Sequence, residues 1–166
     1  MKFLLAIALP LYALDQITKW ATIVGYERGS LPRVVIHPDV FELVYWQNTE
    51  AAFSFGLFSD PTWNNRFYIA LSCIAFVGLI IAWRRSIFTD KPSRWAVALL
   101  LSGILGNVTD RLVHGHVVDM LKFDFGFRPF HPWPAFNVAD SAICCAVALF
   151  IFASLRFSEH PTSKTV

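Results

Sequence analysis

The stretch VADSAICCAVALFIFASLRF, from Val138 to Phe157, decides the fold of this chain. It has about the length that an α-helix needs to cross the hydrocarbon core of a bilayer, roughly 20 residues. Its two charged residues, Asp140 and Arg156, lie near its two ends. The stretch therefore predicts a transmembrane helix that begins beside a carboxylate.

Three further apolar stretches make this an α-helical polytopic membrane protein with four expected transmembrane helices, at about residues 3–24, 67–83, 95–114 and 138–157. Only 16% of the 166 residues are charged, against about 25% in soluble domains. The first stretch resembles a cleaved signal peptide, but Asp15, Gln16 and Lys19 interrupt it, so we expect a retained span, with a kink at Pro10. We predict one integral membrane domain over residues 1–166.

Basic residues predict how the spans cross the membrane. The loop between the second and third spans carries Arg84, Arg85, Lys91 and Arg94, with Asp90 as its one acidic residue. Because short cytoplasmic loops are enriched in Lys and Arg, we expect this loop and both termini in the cytoplasm. Segments of about 25–66 and 115–137 then lie on the outer side.

The outer segments predict a small, partly β cradle or lid. Val40–Trp46 is rich in β-branched and aromatic residues and predicts a strand. We interpret Gly25–Pro38 as a loop and Asp124–Pro134, with its three prolines, as a stiff loop. Ala51–Phe58 is apolar but too short to span, so we expect it to lie in the interface or to cover a site. The tail from Ser158 is expected to be disordered.

In this topology the polar residues of the spans gather at their outer ends. Asp15 and Lys19 are four residues apart on the first helix and can pair. Polar side chains also form one stripe on the third span and another on the fourth: Asn107, Asp110, Arg111 and His114, and Asn137, Asp140, Ser141 and Cys144. Such stripes face protein or trapped water rather than lipid. Cys73, Cys144 and Cys145 lie in apolar runs, and we interpret them as packing residues.

Asp119 and Asp140 flank the gap between the last two spans, and neither has an unassigned basic residue at helical spacing. Two carboxylates about 3 Å apart cannot easily both ionise and share one proton, which is the chemistry of an aspartic peptidase. Asn107, Asn137 and Arg111 could hold the pair or a substrate through hydrogen bonds. The simpler interpretation is that these polar residues only join the helices.

Two other functions fit parts of the pattern. A metal-dependent hydrolase could use Asp110, His114, His116 and Asp119 as ligands, although their spacing matches no H-E-x-x-H motif. A proton-coupled transporter could use Asp15, Asp110 and Asp140 as a relay, although these carboxylates lie near one face rather than at the midplane. A net charge of +2 with no basic run predicts no nucleic-acid binding.

Five blocks of sequence resemble the ordered motifs of one bacterial family, the lipoprotein signal peptidases (signal peptidase II). They are Asp15-Gln16-Ile17-Thr18-Lys19, Asn48-x-x-Ala51-Ala52-Phe53, Gly106-Asn107-Val108-Thr109-Asp110-Arg111, Val117-Val118-Asp119 and Phe136-Asn137-Val138-Ala139-Asp140. The likeness covers nearly the whole chain, including its length and its four expected spans. Glu50 departs from it, because this position usually holds a glycine in the family.

The resemblance implies an aspartic endopeptidase of the bacterial inner membrane, with its active site near the periplasmic face. Its substrate class is the diacylglyceryl-modified prolipoprotein, cut on the amino side of the lipidated cysteine. The resemblance makes Asp119 and Asp140 the catalytic dyad and places Asn48, Asn107, Arg111 and Asn137 around dyad and substrate. Asp15, Lys19 and Asp110 become supporting residues. It also implies inhibition by the cyclic peptide globomycin. We expect no cofactor or metal, and a monomer in the lipid bilayer.

Overall fold

The computed structural model describes residues 1–29, 34–37, 40–49, 60–126 and 133–158. These residues form four helices, α1 (Lys2–Glu27), α2 (Pro61–Arg84), α3 (Lys91–Val113) and α4 (Val138–Ser158), and three strands, β1 (Val34–His37), β2 (Phe41–Asn48) and β3 (Val117–Phe123). The strands follow α1 and α3 in the chain. They form a sheet at one end of the helices, here named the sheet end, and the opposite end is named the far end.

Three helices of the described chain are long and apolar enough to cross a membrane: α2, α3 and α4 as far as Arg156. The first helix, α1, has 26 residues and runs without interruption through Pro10. It buries Asp15 and Lys19 inside the protein and is not one of the three helices that are long and apolar enough to cross a membrane. The structure is therefore a helical membrane-type fold, and the fourth expected span stays a prediction.

Capping residues set where the spanning helices begin. The α2 helix begins at Pro61 rather than at Phe67, because the Asp60 side chain accepts a hydrogen bond from the Thr62 amide at 2.8 Å. The α3 helix begins at Lys91, where the Asp90 side chain accepts a 2.7 Å bond from the Ser93 amide. Both aspartates satisfy amides that have no partner within the helix. Both helices therefore begin before the expected span starts at 67 and 95, which follow from apolar residues alone.

The α3 helix is the centre of the bundle and contacts α1, α2 and α4. A Cβ atom at Gly103 would lie 2.5 Å from the Ala139 carbonyl oxygen, and one at Gly106 would lie 2.5 Å from Asp15 Oδ2. These two glycines therefore let α3 approach α4 and α1 more closely than any larger residue allows, as small residues do in membrane helix packing. At the far end the buried core consists of apolar residues, including Leu4, Val97 and Leu101.

The sheet is antiparallel, in the order β1-β2-β3. The predicted strand at Val40–Trp46 is confirmed as β2, which extends to Asn48. The interpretation of Gly25–Pro38 as a loop is wrong in part, because α1 continues to Glu27 and β1 lies within that range. The strand β3 was not predicted, since its apolar run directly follows a span.

A β-bulge sets which side chains of β2 face the site. Leu43 pairs with Leu121 and Trp46 pairs with Asp119, so β2 has one more residue than β3 between these pairs. The extra residue places Asn48 on the same face as Asp119. Without it the alternation of side chains along β2 would turn Asn48 to the other face.

The segment before α4 is held against the free edge of β3. Leu121 and Phe136 exchange backbone hydrogen bonds of 2.8 and 2.9 Å, and Phe136 is followed directly by Asn137. This pairing brings the start of α4 beside β3. Glu50, Ala51–Phe58, residues 127–132 of the proline-containing loop and the tail from residue 159 lie outside the described residues.

Candidate active site

Asp119 and Asp140 come together at the sheet end, from different elements. Asp119 lies in the middle of β3, and its side chain is 1% exposed. Asp140 lies in the first turn of α4 and is half-buried. The sequence predicted this convergence, and the structure shows how one residue, Asn137, produces it.

Asn137 binds both carboxylates. Its side-chain Nδ2 donates to Asp119 Oδ1 at 2.7 Å, and its backbone amide donates to Asp140 Oδ2 at 3.2 Å. Its Oδ1 accepts from the Asp140 amide at 2.8 Å. The last two bonds form a reciprocal capping box at the start of α4, in which Asn137 is the N-cap and Asp140 the third helical residue. The capping box therefore fixes the Asp140 carboxylate beside the amide that binds Asp119.

Each carboxylate has a second amide donor on its other oxygen. Asn48 Nδ2 donates to Asp119 Oδ2 at 2.9 Å, and Asn107 Nδ2 donates to Asp140 Oδ1 at 2.8 Å. The donors come from β2 and α3, so four elements position the pair. All these donors are neutral. No positively charged nitrogen forms a salt bridge to Asp119 or Asp140 within the described residues.

The surroundings of Asp119 favour its protonated form. Burial and the nearby negative charge of Asp140 raise the pKa of Asp119 to about 7, while the hydrogen bonds from Asn48 and Asn137 and the charge of Lys19 act in the opposite direction. Both raising effects are those expected when two carboxylates share a poorly hydrated site. A proton can therefore remain on this pair at neutral pH, where an exposed aspartate is ionised.

A second cluster lies directly beside the pair and contains its own two carboxylates. Lys19 Nζ lies 2.8 Å from both Asp15 Oδ2 and Asp110 Oδ2, and all three side chains are at most 2% exposed. Gln16 Nε2 donates to Asp110 Oδ1 at 3.0 Å, and the Val118 amide donates to Asp110 Oδ2 at 3.0 Å. The predicted pairing of Asp15 with Lys19 is confirmed. Asp110 is the sequence neighbour of Arg111, but its ion pair is with Lys19.

The two clusters are connected at two points. Lys19 Nζ donates to Asn107 Oδ1 at 3.1 Å, and this bond directs the Asn107 amide nitrogen to Asp140. Asp15 Oδ1 accepts from the Ala139 amide at 2.8 Å, in the first turn of α4. The ion cluster of α1 and α3 therefore holds both the donor to Asp140 and the helix turn that carries Asp140.

Arg111 lies on the α2 side of the pair. Its guanidinium lies over the Tyr68 ring, 5.4 Å from the ring centre, and attracts the charges of Asp140 and Asp119. Its Nη1 lies 3.4 Å from the Asn107 carbonyl oxygen. Sequence reasoning missed Tyr68 and the role of Gln16. Tyr68 and Asn64 are the two buried residues of α2, and their burial is visible only once the helices are packed.

Some residues of the predicted stripes lie elsewhere. His114 is exposed, and its ring lies beside that of His116, at a centre distance of 6.0 Å. The metal alternative needed Asp110, His114, His116 and Asp119 together, but Asp110 binds Lys19 and Gln16. The described residues contain no group of three or more potential ligands. The interpretation of Cys73, Cys144 and Cys145 as packing residues is wrong, because all three are exposed.

Comparison with known proteins assigns the chain to a family. The family model described as Signal peptidase (SPase) II matches residues 7–156. The chain belongs to the signal peptidase II family. It is 43% identical to the lipoprotein signal peptidase of Ralstonia nicotianae over 86% of this chain and 78% of that protein. It is 39% identical to that of Polynucleobacter necessarius subsp. necessarius over 97% of this chain and 94% of that protein.

The fold also matches a solved structure. A bacterial membrane enzyme determined by the in meso method aligns with all of this chain and 95% of its own length, with a TM-score of 0.82 and 24% identity. The likeness supports the helical membrane fold. The family membership makes the chain a membrane protease, and the five motif blocks noted in the sequence include the residues that gather around Asp119 and Asp140.

Proposed function

We propose that this protein is an aspartic endopeptidase that removes the signal peptide from diacylglyceryl-modified prolipoproteins, on the amino side of the lipidated cysteine. Asp119 and Asp140 are its catalytic residues. Asn137 carries the proposal, because it donates to both carboxylates and holds them together without a cation. Relatives named lipoprotein signal peptidase support the choice of substrate.

The proposed reaction needs one proton on the pair. The ionised carboxylate accepts a proton from a water as that water attacks the scissile carbonyl carbon. The protonated carboxyl donates a hydrogen bond, and then its proton, to the carbonyl oxygen. The raised pKa of Asp119 supports a protonated member at neutral pH. The C–N bond of the tetrahedral intermediate then breaks as the carboxyl that took the water proton donates it to the nitrogen of the lipidated cysteine. One hydroxyl of the intermediate returns its proton to the other carboxylate, so the pair again holds one proton.

The neighbouring residues support binding in this proposal. Asn107 and Asn137 hold the carboxylates in place, and Asn48 holds Asp119 from the sheet side. The Arg111 guanidinium offers planar donors for substrate carbonyl oxygens. Asp15, Lys19 and Asp110 position this group and do not touch the substrate.

The membrane placement is part of the same proposal. Four spans in the bacterial inner membrane, with both termini in the cytoplasm, put the sheet end at the periplasmic face. A lipidated cysteine keeps its acyl chains in the bilayer, so its peptide bond lies at the depth of that interface. The protein acts as a monomer and is inhibited by globomycin. The basic loop between α2 and α3, at the far end, supports this orientation.

A cleavage assay with isosteric variants tests the proposal. Asp119→Asn and Asp140→Asn keep the size of each side chain but cannot share a proton, so each is expected to lower cleavage of a diacylglyceryl-modified prolipoprotein by at least about 10³-fold. Products are measured by mass spectrometry after incubation in detergent micelles. Full cleavage by either variant would contradict the dyad.

Asp60→Asn is the matched control. Asp60 caps α2 at the sheet end, and asparagine is an equally good capping residue. This variant is expected to fold and to cleave as the wild-type protein does. A chelator series on the wild-type protein separates the metal alternative, because loss of cleavage that zinc restores would favour it. Transport of protons into vesicles without any cleavage would favour the transporter.

A further inference from the structure

A large aromatic side chain lies beside the carboxylate pair and is mostly exposed. Trp46 of β2 is the direct cross-strand partner of Asp119 of β3. Side chains of directly opposed residues in an antiparallel pair lie on the same face of the sheet, with their Cβ atoms about 4.5–5.5 Å apart. Asp119 is 1% exposed, whereas Trp46 is 63% exposed. The face of the sheet that holds the buried carboxylate therefore also presents an accessible indole ring.

The bulge in β2 brings this tryptophan to the site. Between the pairs formed by Leu43 and by Trp46, β2 has one more residue than β3, and without that residue Tyr45 would lie opposite Asp119. Tyr45 is turned instead to the other face of the sheet, where its ring centre lies 4.6 Å from that of Tyr26 of α1. Bulges near active sites often redirect a side chain in this way. One aromatic residue of β2 thus packs against a helix, and the next one lies beside the carboxylate.

Trp46 differs in its position from other exposed tryptophans of the chain. Trp20, Trp63 and Trp95 are also exposed, but they lie on α1, α2 and α3. Tryptophans on membrane helices are suited to the interface between bilayer and water. An interfacial anchor does not need the face of the sheet that holds Asp119. The position of Trp46 therefore indicates contact with a molecule bound at the carboxylate pair.

The order of the elements indicates which part of a substrate reaches Trp46. Phe136 pairs with β3 on the side away from β2, and α4 begins directly after it. Across the site the order is therefore α4 with Asp140, then β3 with Asp119, then β2 with Trp46. The apolar part of a signal peptide lies with the helices, because these form the membrane part of the fold. The chain that follows the scissile bond then continues over β2.

We propose that Trp46 binds the first two residues of the mature lipoprotein, which follow the lipidated cysteine, by packing its indole ring against them. This inference rests on the proposed function and adds a substrate-binding residue to it. Neighbouring strands lie about 4.8 Å apart, and an extended chain advances about 3.3 Å per residue, so one or two residues beyond the scissile bond reach β2. Tryptophan suits this contact because its rigid ring offers a large area at a low cost in conformational entropy.

Two synthetic substrates test this contact. Both are diacylglyceryl-modified prolipoprotein peptides with the same signal sequence, but one ends at the lipidated cysteine as an amide and the other continues for three residues. In the wild-type protein we expect the longer substrate to have a KM about fivefold lower than the shorter one, the size of one aromatic contact. In Trp46→Ala this ratio should fall to about one, because the additional residues have lost the indole.

Two further variants serve as controls. Trp63 lies at the sheet end and is 57% exposed, but it belongs to α2, so Trp63→Ala should keep the fivefold ratio. Trp46→Phe retains a ring and should keep a ratio of about three. A ratio that stays the same in Trp46→Ala would overturn the inference and leave Trp46 as an interfacial anchor. A ratio of one in the wild-type protein would overturn it as well.

A photochemical measurement requires no substitution of Trp46. The longer substrate carries p-benzoylphenylalanine as the second residue after the lipidated cysteine, and the protein carries Asp140→Asn so that the substrate is not consumed. After irradiation and proteolysis, mass spectrometry is expected to find most of the attached substrate on β2. Attachment mainly to other elements, or no attachment, would overturn the inference.

Cleavage of the two substrates separates this inference from the proposed function. If the wild-type protein cleaves both and Trp46→Ala keeps the wild-type ratio, the peptidase stands and the contact with Trp46 fails. If the wild-type protein cleaves neither substrate, the peptidase itself is overturned, and the inference that rests on it is overturned too.

Discussion

The molecule holds two pairs of buried carboxylates side by side, and they differ in what neutralises them. Asp15 and Asp110 share the ammonium of Lys19, at 2.8 Å from each. Asp119 and Asp140 receive hydrogen bonds from neutral amides. A cation fixes the ionised form of a carboxylate, whereas an amide positions the group and leaves it able to accept a proton. The first pair is therefore suited to structure and the second to proton transfer.

Removal of the Lys19 cation from Asp15 and Asp110 should cause the largest loss of stability. Lys19→Met leaves two buried carboxylates without their counter-ion and is expected to lower the free energy of unfolding by about 3–5 kcal/mol. Thermal unfolding in detergent, followed by tryptophan fluorescence, measures the loss. Lys122→Met is the control, because Lys122 is 36% exposed and lies 3.4 Å from Glu42. The Glu42 side chain is 11% exposed, but the longer contact and the partly solvated ammonium should limit the loss to about 1 kcal/mol, well below that of Lys19→Met.

A triple variant sharpens this result. Asp15→Asn/Lys19→Met/Asp110→Asn removes all three charges, and it should recover part of the stability lost in Lys19→Met. If the triple variant were no more stable than Lys19→Met, buried charge would not be the cause of the loss.

Loss of the amide that joins the second pair should affect activity more than stability. Asn137→Ser keeps an oxygen that can cap α4 but loses the donor to Asp119. We expect kcat to fall about 10–100-fold, as for loss of a hydrogen bond to a charged group, and the melting temperature to change little. Steady-state cleavage and thermal unfolding of the same preparation test both parts. Undiminished kcat would show that Asn137 only caps the helix.

The sequence predicted many members of the two carboxylate clusters because their spacing along a helix puts them on one face. Asp15 and Lys19 are four residues apart, and Asn107 precedes Asp110 and Arg111 at steps of three and four. Asn137 and Asp140 are three apart, the spacing of a capping box, although we interpreted them as a polar stripe that holds the carboxylate pair and not as a helix cap. Helical periodicity was therefore enough to place most of the polar residues at one end.

Contacts between distant elements could not be predicted in the same way. Asn48 faces Asp119 only because of a bulge in β2, and β3 itself was missed because its apolar residues follow directly after a span. From its sequence Lys19 could pair with residues of α1 or of another helix. Only the packed structure shows that it also binds Asp110 and Asn107 of α3. Tyr68 was missed because nothing local separates it from other aromatic residues of α2.

A substitution where α3 closely approaches α1 should cause the next largest loss of stability. A Cβ atom at Gly106 would lie 2.5 Å from Asp15 Oδ2 and 2.9 Å from the Ala139 Cβ atom. Gly106→Ala is expected to lower the free energy of unfolding by about 1–3 kcal/mol through overpacking. Gly78→Ala is the control, since it meets no atom within 4 Å and should stabilise α2 by about 0.5–1 kcal/mol. Equal melting temperatures for the two variants would contradict the tight packing.

The smallest expected effect is a shift in the pH dependence of cleavage, which reports the proton shared by Asp119 and Asp140. The pKa of Asp119 is raised to about 7, so cleavage should decline as the pH rises through about 7 and the shared proton is lost. The hydrogen bond from Asn48 stabilises the ionised form and lowers this pKa, so Asn48→Ala should raise it further. The alkaline limb of kcat/KM then moves upward by about half a pH unit, the size of one weak hydrogen bond.

Gln47→Ala is the matched control for this shift. Gln47 is the neighbour of Asn48 on β2, but it is exposed, faces the other side of the strand and donates to the Tyr45 hydroxyl. Its removal should leave the alkaline limb where it is. A downward shift in Asn48→Ala would mean that this amide favours the protonated form of Asp119. A similar shift in Gln47→Ala would mean that the limb reports the sheet as a whole, and the contrast between amide-held and cation-held carboxylates would then lose its basis.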